Sequence, residues 1–399
     1  MTRLPAAAWR DRAGLSTLLD ALGAAAGATR FVGGAVRDTL LGLPVSDVDL
    51  ATRLLPDDVL RRVKAIGVTA VPTGIAHGTV TAVLPGGAVE VTTLRRDVAT
   101  DGRHATVAFT DDWQADAARR DFTINALSAD PASGAVFDYF GGLDDLAART
   151  VRFIGDPRDR IAEDHLRILR FFRFHARFGR GDPEPAGLAA CAERANDLMA
   201  LSRERIADEL LKLLALPDPT STVRLMHHYG LFAPILPEIE PAGIDRLGRL
   251  IAAETAACAI PDPVRRLAAL LPDDPDRAER TVARLKQSRV RQRRVRQAAT
   301  PIMPDESIDA IAYARGADAA IDRLLIEGRS EQAQALAGWQ RPQLPLSGGA
   351  LIAAGLAPGP IVAATLQAIE RRWVAEAFPD GERFAAIVAD ALDQARSAQ

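Results

Sequence analysis

The spacing of apolar residues changes character near residue 155, and that change limits what this chain can fold into. Upstream, short runs rich in Val, Thr, Ile and Phe alternate with helical ones. Arg30–Val32, Val48–Ala51, Thr79–Leu84, Ala88–Leu94 and Ala135–Tyr139 have the composition and flanking Gly and Pro of strands. Pro56–Ile66 and Trp113–Ala118 read as helices, and Gly86-Gly87 reads as a hairpin turn. Downstream the pattern is helical. In Glu204–Ala215, Ile206, Leu210, Leu213 and Leu214 fall on one face. Ile161–Phe178, Arg277–Ala299 and Pro360–Ala377 each read as one helix. The expectation is an α+β fold. A mixed-sheet head over residues 1–155 precedes a helical neck over 156–216 and a helical body and tail over 217–399.

Such a chain, 399 residues with a net charge of −3, is long enough for two or three domains. No apolar run approaches the ~20 residues of a membrane span, and the first residues lack the apolar core of a secretory signal. Two cysteines, Cys191 and Cys258, give neither a disulfide framework nor metal-ligand spacing. A reducing cytoplasm is the expected setting. The slight negative charge excludes blanket coating of nucleic acid but leaves room for a local basic groove. Lys64, Lys212 and Lys286 are the only lysines, so nearly all positive charge is arginine.

Chemistry first surfaces at Phe31-Val32-Gly33-Gly34-Ala35-Val36-Arg37-Asp38, a strand running through two glycines into a helix. Glycines let backbone N–H groups approach an anion, and the helix start adds partial positive charge. Arg37 lies one turn in. Next comes Asp47-Val48-Asp49. Side chains two apart on a strand share a face, and two adjacent carboxylates repel unless a cation lies between them. Divalent metal resolves that conflict, and two carboxylates opposite a triphosphate are the equipment of two-metal nucleotidyl transfer. Taken alone, each motif also fits an ordinary turn. Glu90, on Val89-Glu90-Val91, is either a third carboxylate or an exposed strand residue.

Arg119-Arg120-Asp121-Phe122-Thr123-Ile124-Asn125-Ala126 brings cations for phosphate together with Asp121 and Asn125. These two, four apart, suit one face of a helix and a ribose hydroxyl; a capped amphipathic helix is the alternative. Between this run and the preceding strand, Arg95–Ala118 reads as a polar loop containing Asp101-Gly102-Arg103-His104. Further on, Glu163-Asp164-His165-Leu166-Arg167 opens a helix on which Asp164 and Arg167 are neighbours. Read by itself, that is a surface ion pair worth ~0–1 kcal/mol.

In order and spacing, these segments resemble the class II CCA-adding tRNA nucleotidyltransferase and bacterial poly(A) polymerase family of the DNA polymerase β superfamily. The match spans about residues 30–210. It implies a polymerase-β-like head, with Gly33, Gly34, Arg37 and Arg120 on the triphosphate and Asp47 and Asp49 on two Mg²⁺ ions. It further implies Asp121 and Asn125 as ribose-selecting groups. Asp164 and Arg167 become an amino-acid template for the base, with Arg170 and Arg173 nearby. An acceptor-only carboxylate and a donor-only guanidinium suit the edges of cytosine and adenine and oppose those of uracil and guanine. On a straight helix at 100° per residue, Arg173 falls opposite Asp164. Ser202–Leu210 resembles the segment that ends the neck, with Ser202 as its cap and Glu204 and Glu209 as braces. The loop before Ala118 is full length, which favours complete CCA addition over partial addition.

The expected activity is addition of CCA to the 3′ end of tRNA from CTP and ATP. Poly(A) synthesis, CC- or A-only addition, and a catalytically silent RNA-binding protein are the alternatives. No protein partner is implied, and neither a Gly-x4-Gly-Lys phosphate loop nor a phosphohydrolase His-Asp cluster is present. The basic stretch Arg280, Arg284, Lys286, Arg289, Arg291, Arg293, Arg294 and Arg296 suits either a solvated face or the tRNA backbone.

Overall fold

The computed structural model describes residues 2–101, 104–303 and 306–397, without the side chains of residues 97–107. Two compact units emerge. One comprises residues up to Glu209 together with Tyr229–Ile235. The other comprises Leu210–His228 and the residues from Leu236 onward.

In the first unit the strands are β1 (Thr29–Val32), β2 (Val48–Thr52), β3 (Thr69–Gly74), β4 (Thr79–Leu84), β5 (Gly87–Thr93), β6 (Arg95–Asp101), β7 (His104–Phe109), β8 (Ser128–Ala129) and β9 (Val136–Phe137). Seven of them form a mixed sheet in the order β3-β4-β5-β2-β1-β8-β9. Only β2 and β5 run parallel, with Asp49 level with Glu90; the other pairings are antiparallel. The helices are α1 (Leu15–Ala21), α2 (Gly34–Leu40), α3 (Pro56–Ala65), α4 (Trp113–Ala118), α5 (Gly142–Ala147), α6 (Pro157–Glu163), α7 (Leu166–Phe178), α8 (Pro185–Glu193) and α9 (Arg203–Leu214), the last extending beyond this unit. Phe31, Leu50, Val80, Val89 and Val91 are buried in the sheet; α3 packs over β3, β4 and β5, and its Val59 and Val63 are buried.

Several expectations change. β3 was not anticipated: at the sheet edge, with most of its residues exposed, it lacks the alternation that marks a half-buried strand. The hairpin turn is Pro85-Gly86, because Gly87 already pairs with Leu84. The segment expected as a loop from Arg95 contains an antiparallel ribbon, Arg95 facing Phe109 and Arg96 facing Ala108. Its β-branched and aromatic positions permit this once a partner strand is at hand. Gly102, Arg103 and the side chain of His104 lie outside the described residues.

Ile161–Phe178 is not one helix. Asp164 has an extended backbone, φ −152° and ψ 105°. Its carboxylate accepts the Leu166 N–H at 3.1 Å, a local bond that competes with the helical ladder. Helix α6 therefore ends at Glu163, and α7 begins at Leu166. One face of α7 is aromatic. Phe171, Phe174 and Phe178 are buried, and Phe122 lies 5.1 Å from Phe174 and 5.0 Å from Phe153, whose ring stacks on Phe171 at 5.4 Å. This cluster ties α7 to the turn after α4.

The second unit is helical: α10 (Thr220–His228), α11 (Pro241–Ala256), α12 (Pro263–Leu270), α13 (Pro275–Arg284), α14 (Arg289–Ala299), α15 (Ile308–Arg315), α16 (Ala317–Ile326), α17 (Ser330–Ala335), α18 (Gly348–Ala353), α19 (Pro360–Ala375) and α20 (Gly381–Ser397). Arg277–Ala299 divides at Lys286, whose φ is 53°. Arg266, 1% exposed, binds Glu254 and the carbonyls of Leu214 and Pro217. Much of the basic stretch is spent inside the unit: Arg284 pairs with Glu238, Arg294 with Asp322 and Asp262, and Arg296 with Glu279.

Because Phe122 is completely buried among three rings, Phe122→Ala should cost about 3–5 kcal/mol. Urea unfolding followed by aromatic fluorescence and far-UV circular dichroism measures the loss.

Candidate active site

A cavity of about 750 Å³ opens within the first unit. It draws lining from the end of β1, from β2 and β5, from the turn after α4, from α7 and from the start of α9. Every residue expected to act borders it: Gly33, Gly34, Arg37, Asp47, Asp49, Glu90, Arg120, Asp121, Asn125, Asp164, Arg167, Arg170 and Arg173.

Local structure explains how they converge. Phe31 faces Leu50 across β1 and β2, so the glycine pair leaves β1 where Asp47 and Asp49 enter β2. Gly33 has φ +65°, a conformation that selects glycine, and the Arg120 guanidinium lies close over it. Asp47 precedes β2 and is exposed, while Asp49 is half-buried on it. Burial, then repulsion from Glu90, raises the Asp49 carboxyl above its ordinary range; Arg120 opposes the shift and Asp47 adds to it. That like-charge stress is what a hard divalent cation relieves. Among the described residues no three acidic, His or Cys side chains form a ready-made cage. Two carboxylates with an open side leave room for phosphate oxygens to complete a cation's shell.

From Asp38 a line of alternating charge runs along the cavity. Buried Arg37 donates to Asp38 at 2.7 Å and to the Asn125 side-chain oxygen, and its guanidinium lies 4.0 Å above the Phe178 ring. Asn125 donates to Asp121 at 2.9 Å. Asp121 accepts Arg170 Nε and Nη2 on one oxygen, at 2.8 and 2.6 Å. Burial alone would raise the Asp121 carboxyl, but Arg170 and the Asn125 bond hold it below its ordinary range. Glu209 closes the line, accepting Arg173 at 2.6 Å and lying 3.8 Å from Arg170. Arg120 is held more loosely, at 3.3 Å from the Asn125 carbonyl and 3.5 Å from Asp116. Its charge is less committed to protein partners than that of Arg37 or Arg170.

Asp121 and Asn125 do meet, through a short 3₁₀ turn at Thr123–Asn125 rather than through an α-helix. Arg173 was expected to point away from Asp164. Both border the cavity, because Asp164 is not part of α7 and the helical wheel does not apply to it. Nor is Asp164 tied to Arg167 through side chains. Arg167 binds Glu163 and donates to the Arg160 carbonyl at 2.8 Å. The Asp164 carboxylate is bound by Arg205, Nη2 to Oδ2 at 2.7 Å.

Two family models match: the poly A polymerase head domain over residues 29–152, and the probable RNA and SrmB-binding site of polymerase A over residues 182–242. The human mitochondrial CCA tRNA nucleotidyltransferase 1 is 35% identical over 362 residues, which cover 86% of this chain and 82% of the relative. This chain belongs to the CCA tRNA nucleotidyltransferase family. The CCA-adding enzyme of Lacticaseibacillus paracasei is 34% identical over 88% of the chain and 89% of its own length. The structure of the Bacillus stearothermophilus CCA-adding enzyme in complex with CTP matches with a TM-score of 0.77 and 27% identity, covering 96% of this chain and 98% of that one.

For a CCA tRNA nucleotidyltransferase, the cavity contains cationic groups that motif reading passed over. Arg205 and Arg95 line it, beside the expected Arg119 and Arg120. Arg205 had a signal: it lies one helical turn before Glu209, which places both on one face of α9.

A raised carboxyl pKa means that the folded state holds its proton more tightly than the unfolded state does. Stability therefore falls as pH rises from the unfolded Asp range through the folded value, and the penalty persists above it. Asp49→Asn should raise the melting temperature of metal-free protein at neutral pH, with the gain fading as the solution is acidified. Calorimetry across that range measures it.

Proposed function

We propose that this protein adds C, C and A to the 3′ end of tRNA, taking CTP and then ATP and releasing pyrophosphate. The observation that carries this reading is the separate anchoring of Asp164 and Arg167 on one cavity wall, with Asp47 and Asp49 on another. Gly33 and Gly34 allow the phosphates close to the backbone, and Arg120 meets their charge. Arg37 is already held by Asp38 and Asn125 and serves as a fixed cationic floor. Asp121 and Asn125 face the ribose. Asp164 accepts from an exocyclic amino group and Arg167 donates to ring acceptors, which cytosine and adenine satisfy and uracil and guanine do not. Arg170 and Arg173 flank the base through Asp121 and Glu209.

Two Mg²⁺ ions held by Asp47 and Asp49, when bound, would activate the tRNA 3′-hydroxyl and steady the departing pyrophosphate. The exposed Arg289 and Arg293 of α14 offer charge to the tRNA backbone. Among the described residues no helix is long and apolar enough to cross a membrane. Both cysteines are free, and the reducing cytoplasm is the compartment we assign.

Asp47→Ala should lower turnover by roughly a thousandfold or more while leaving the circular dichroism spectrum and melting temperature unchanged. Near-normal turnover would remove the metal assignment. In the same assay, Arg167→Ala should reduce the preference for CTP over UTP by ~1–3 kcal/mol.

A further inference from the structure

The base-reading pair poses a physical problem. Asp164 and Arg167 are opposite charges three residues apart at the start of α7. Left to themselves, such neighbours attract. A direct ion pair would use the carboxylate lone pairs and guanidinium donors that a base must reach. In the structure their side chains are not paired. Arg167 is held from its own side by Glu163, by the Arg160 carbonyl at 2.8 Å and by the Arg119 carbonyl at 3.3 Å. Asp164 lacks the restraint of a helical backbone, since it lies in the break between α6 and α7. Its carboxylate is held by two bonds: the Leu166 N–H on Oδ1 at 3.1 Å and Arg205 Nη2 on Oδ2 at 2.7 Å. Arg205 comes from a different element, the first turn of α9, and lines the same cavity.

We propose that Arg205 is a positioning residue for base selection: it holds the Asp164 carboxylate away from Arg167 and keeps both edges open to the incoming nucleotide. This inference rests on the reading of Asp164 and Arg167 as the base-selecting pair. Arg205 acts through Asp164 rather than on the base. A carboxylate has lone pairs to spare after accepting one N–H and one guanidinium N–H, so Asp164 can still take an amino proton from cytosine or adenine. Without Arg205, only the Leu166 bond restrains the carboxylate. It can then swing to Arg167, and the pair satisfies itself.

The consequences are specific. Loss of Arg205 reduces discrimination as well as rate, because a closed pair reads neither amino donor nor ring acceptor. Loss of a cation that merely attracts triphosphate would raise KM for every nucleotide alike and leave discrimination unchanged. A point charge of the same sign recovers part of the effect, since the lysine ammonium still donates to the carboxylate but lacks the planar guanidinium fork.

The test compares kcat/KM for CTP and for UTP on tRNA lacking its terminal CCA, in the wild-type protein, Arg205→Ala, Arg205→Lys, Asp164→Ala and the Asp164→Ala/Arg205→Ala double variant. Melting curves establish that each is folded, and Arg205→Gln replaces the alanine variant if that one is not. The expected result is a CTP-over-UTP ratio reduced roughly fivefold or more in Arg205→Ala, the size of one weak specific base contact. Arg205→Lys should recover part of the ratio, and Arg205→Ala should change it no further in the Asp164→Ala background. A ratio unchanged in Arg205→Ala but collapsed in Asp164→Ala overturns the role of Arg205 and leaves the base-selecting pair standing. A ratio unchanged in Asp164→Ala removes the pair itself, and this inference with it.

Discussion

The contact between buried Asp121 and half-buried Arg170 is the constraint on which the site depends. Asp121 lies in the turn that follows α4, and Arg170 projects from α7. Two guanidinium nitrogens on one carboxylate oxygen fix the helix against the turn, and the Phe122 ring beside Asp121 packs on Phe174 from the same helix. Burying two charges is costly unless their geometry is good and their remaining valences are met. Here Asn125 and the Phe122 N–H take the other Asp121 oxygen, and Glu209 stands near Arg170. The pair therefore transmits position: from Asp121 through Asn125 to Arg37 beside the glycine pair, and from Arg170 through Glu209 to Arg173 and α9.

That arrangement joins two requirements of template-independent synthesis. Phosphate chemistry needs carboxylates and cations side by side, and base choice needs fixed donors and acceptors. The sheet supplies the first through β1, β2 and β5, whose register sets Asp49 beside Glu90. In the proposed reading the helical part meets the second through a break between α6 and α7, which frees Asp164 from helical geometry. Neither part alone borders the whole cavity.

The order of elements was legible because burial writes itself into composition. β1, β2, β4 and β5 carry the Val, Leu and Phe that fill the sheet, and α7 carries an aromatic stripe. The edge strand β3 was not legible, since an exposed edge needs no apolar alternation. Polar composition predicts a loop where the β6–β7 ribbon stands, because a ribbon can pair through its backbone whatever its side chains. At the site, the residues singled out along the chain border one cavity, but their side-chain partners do not follow from spacing. Asp164 and Arg167 looked like an ion pair by spacing, whereas their counter-charges are Arg205 and Glu163. Spacing reports which residues are neighbours on a continuous helix; it cannot report a break caused by one side chain capping the next turn. Nor does the bare sequence say that Arg205, some forty positions downstream, reaches back to Asp164.

In such an enzyme a protein surface, rather than a nucleic-acid template, directs the addition of three specific nucleotides. The most direct test of this supplies purified protein and Mg²⁺ with tRNA that lacks its last three nucleotides, adding CTP alone, ATP alone or both, and resolves the products on a sequencing gel. The account predicts extension by two nucleotides with CTP alone and by three, ending in A, with both. A long ladder with ATP alone, or a stop after two nucleotides when both are present, would contradict it.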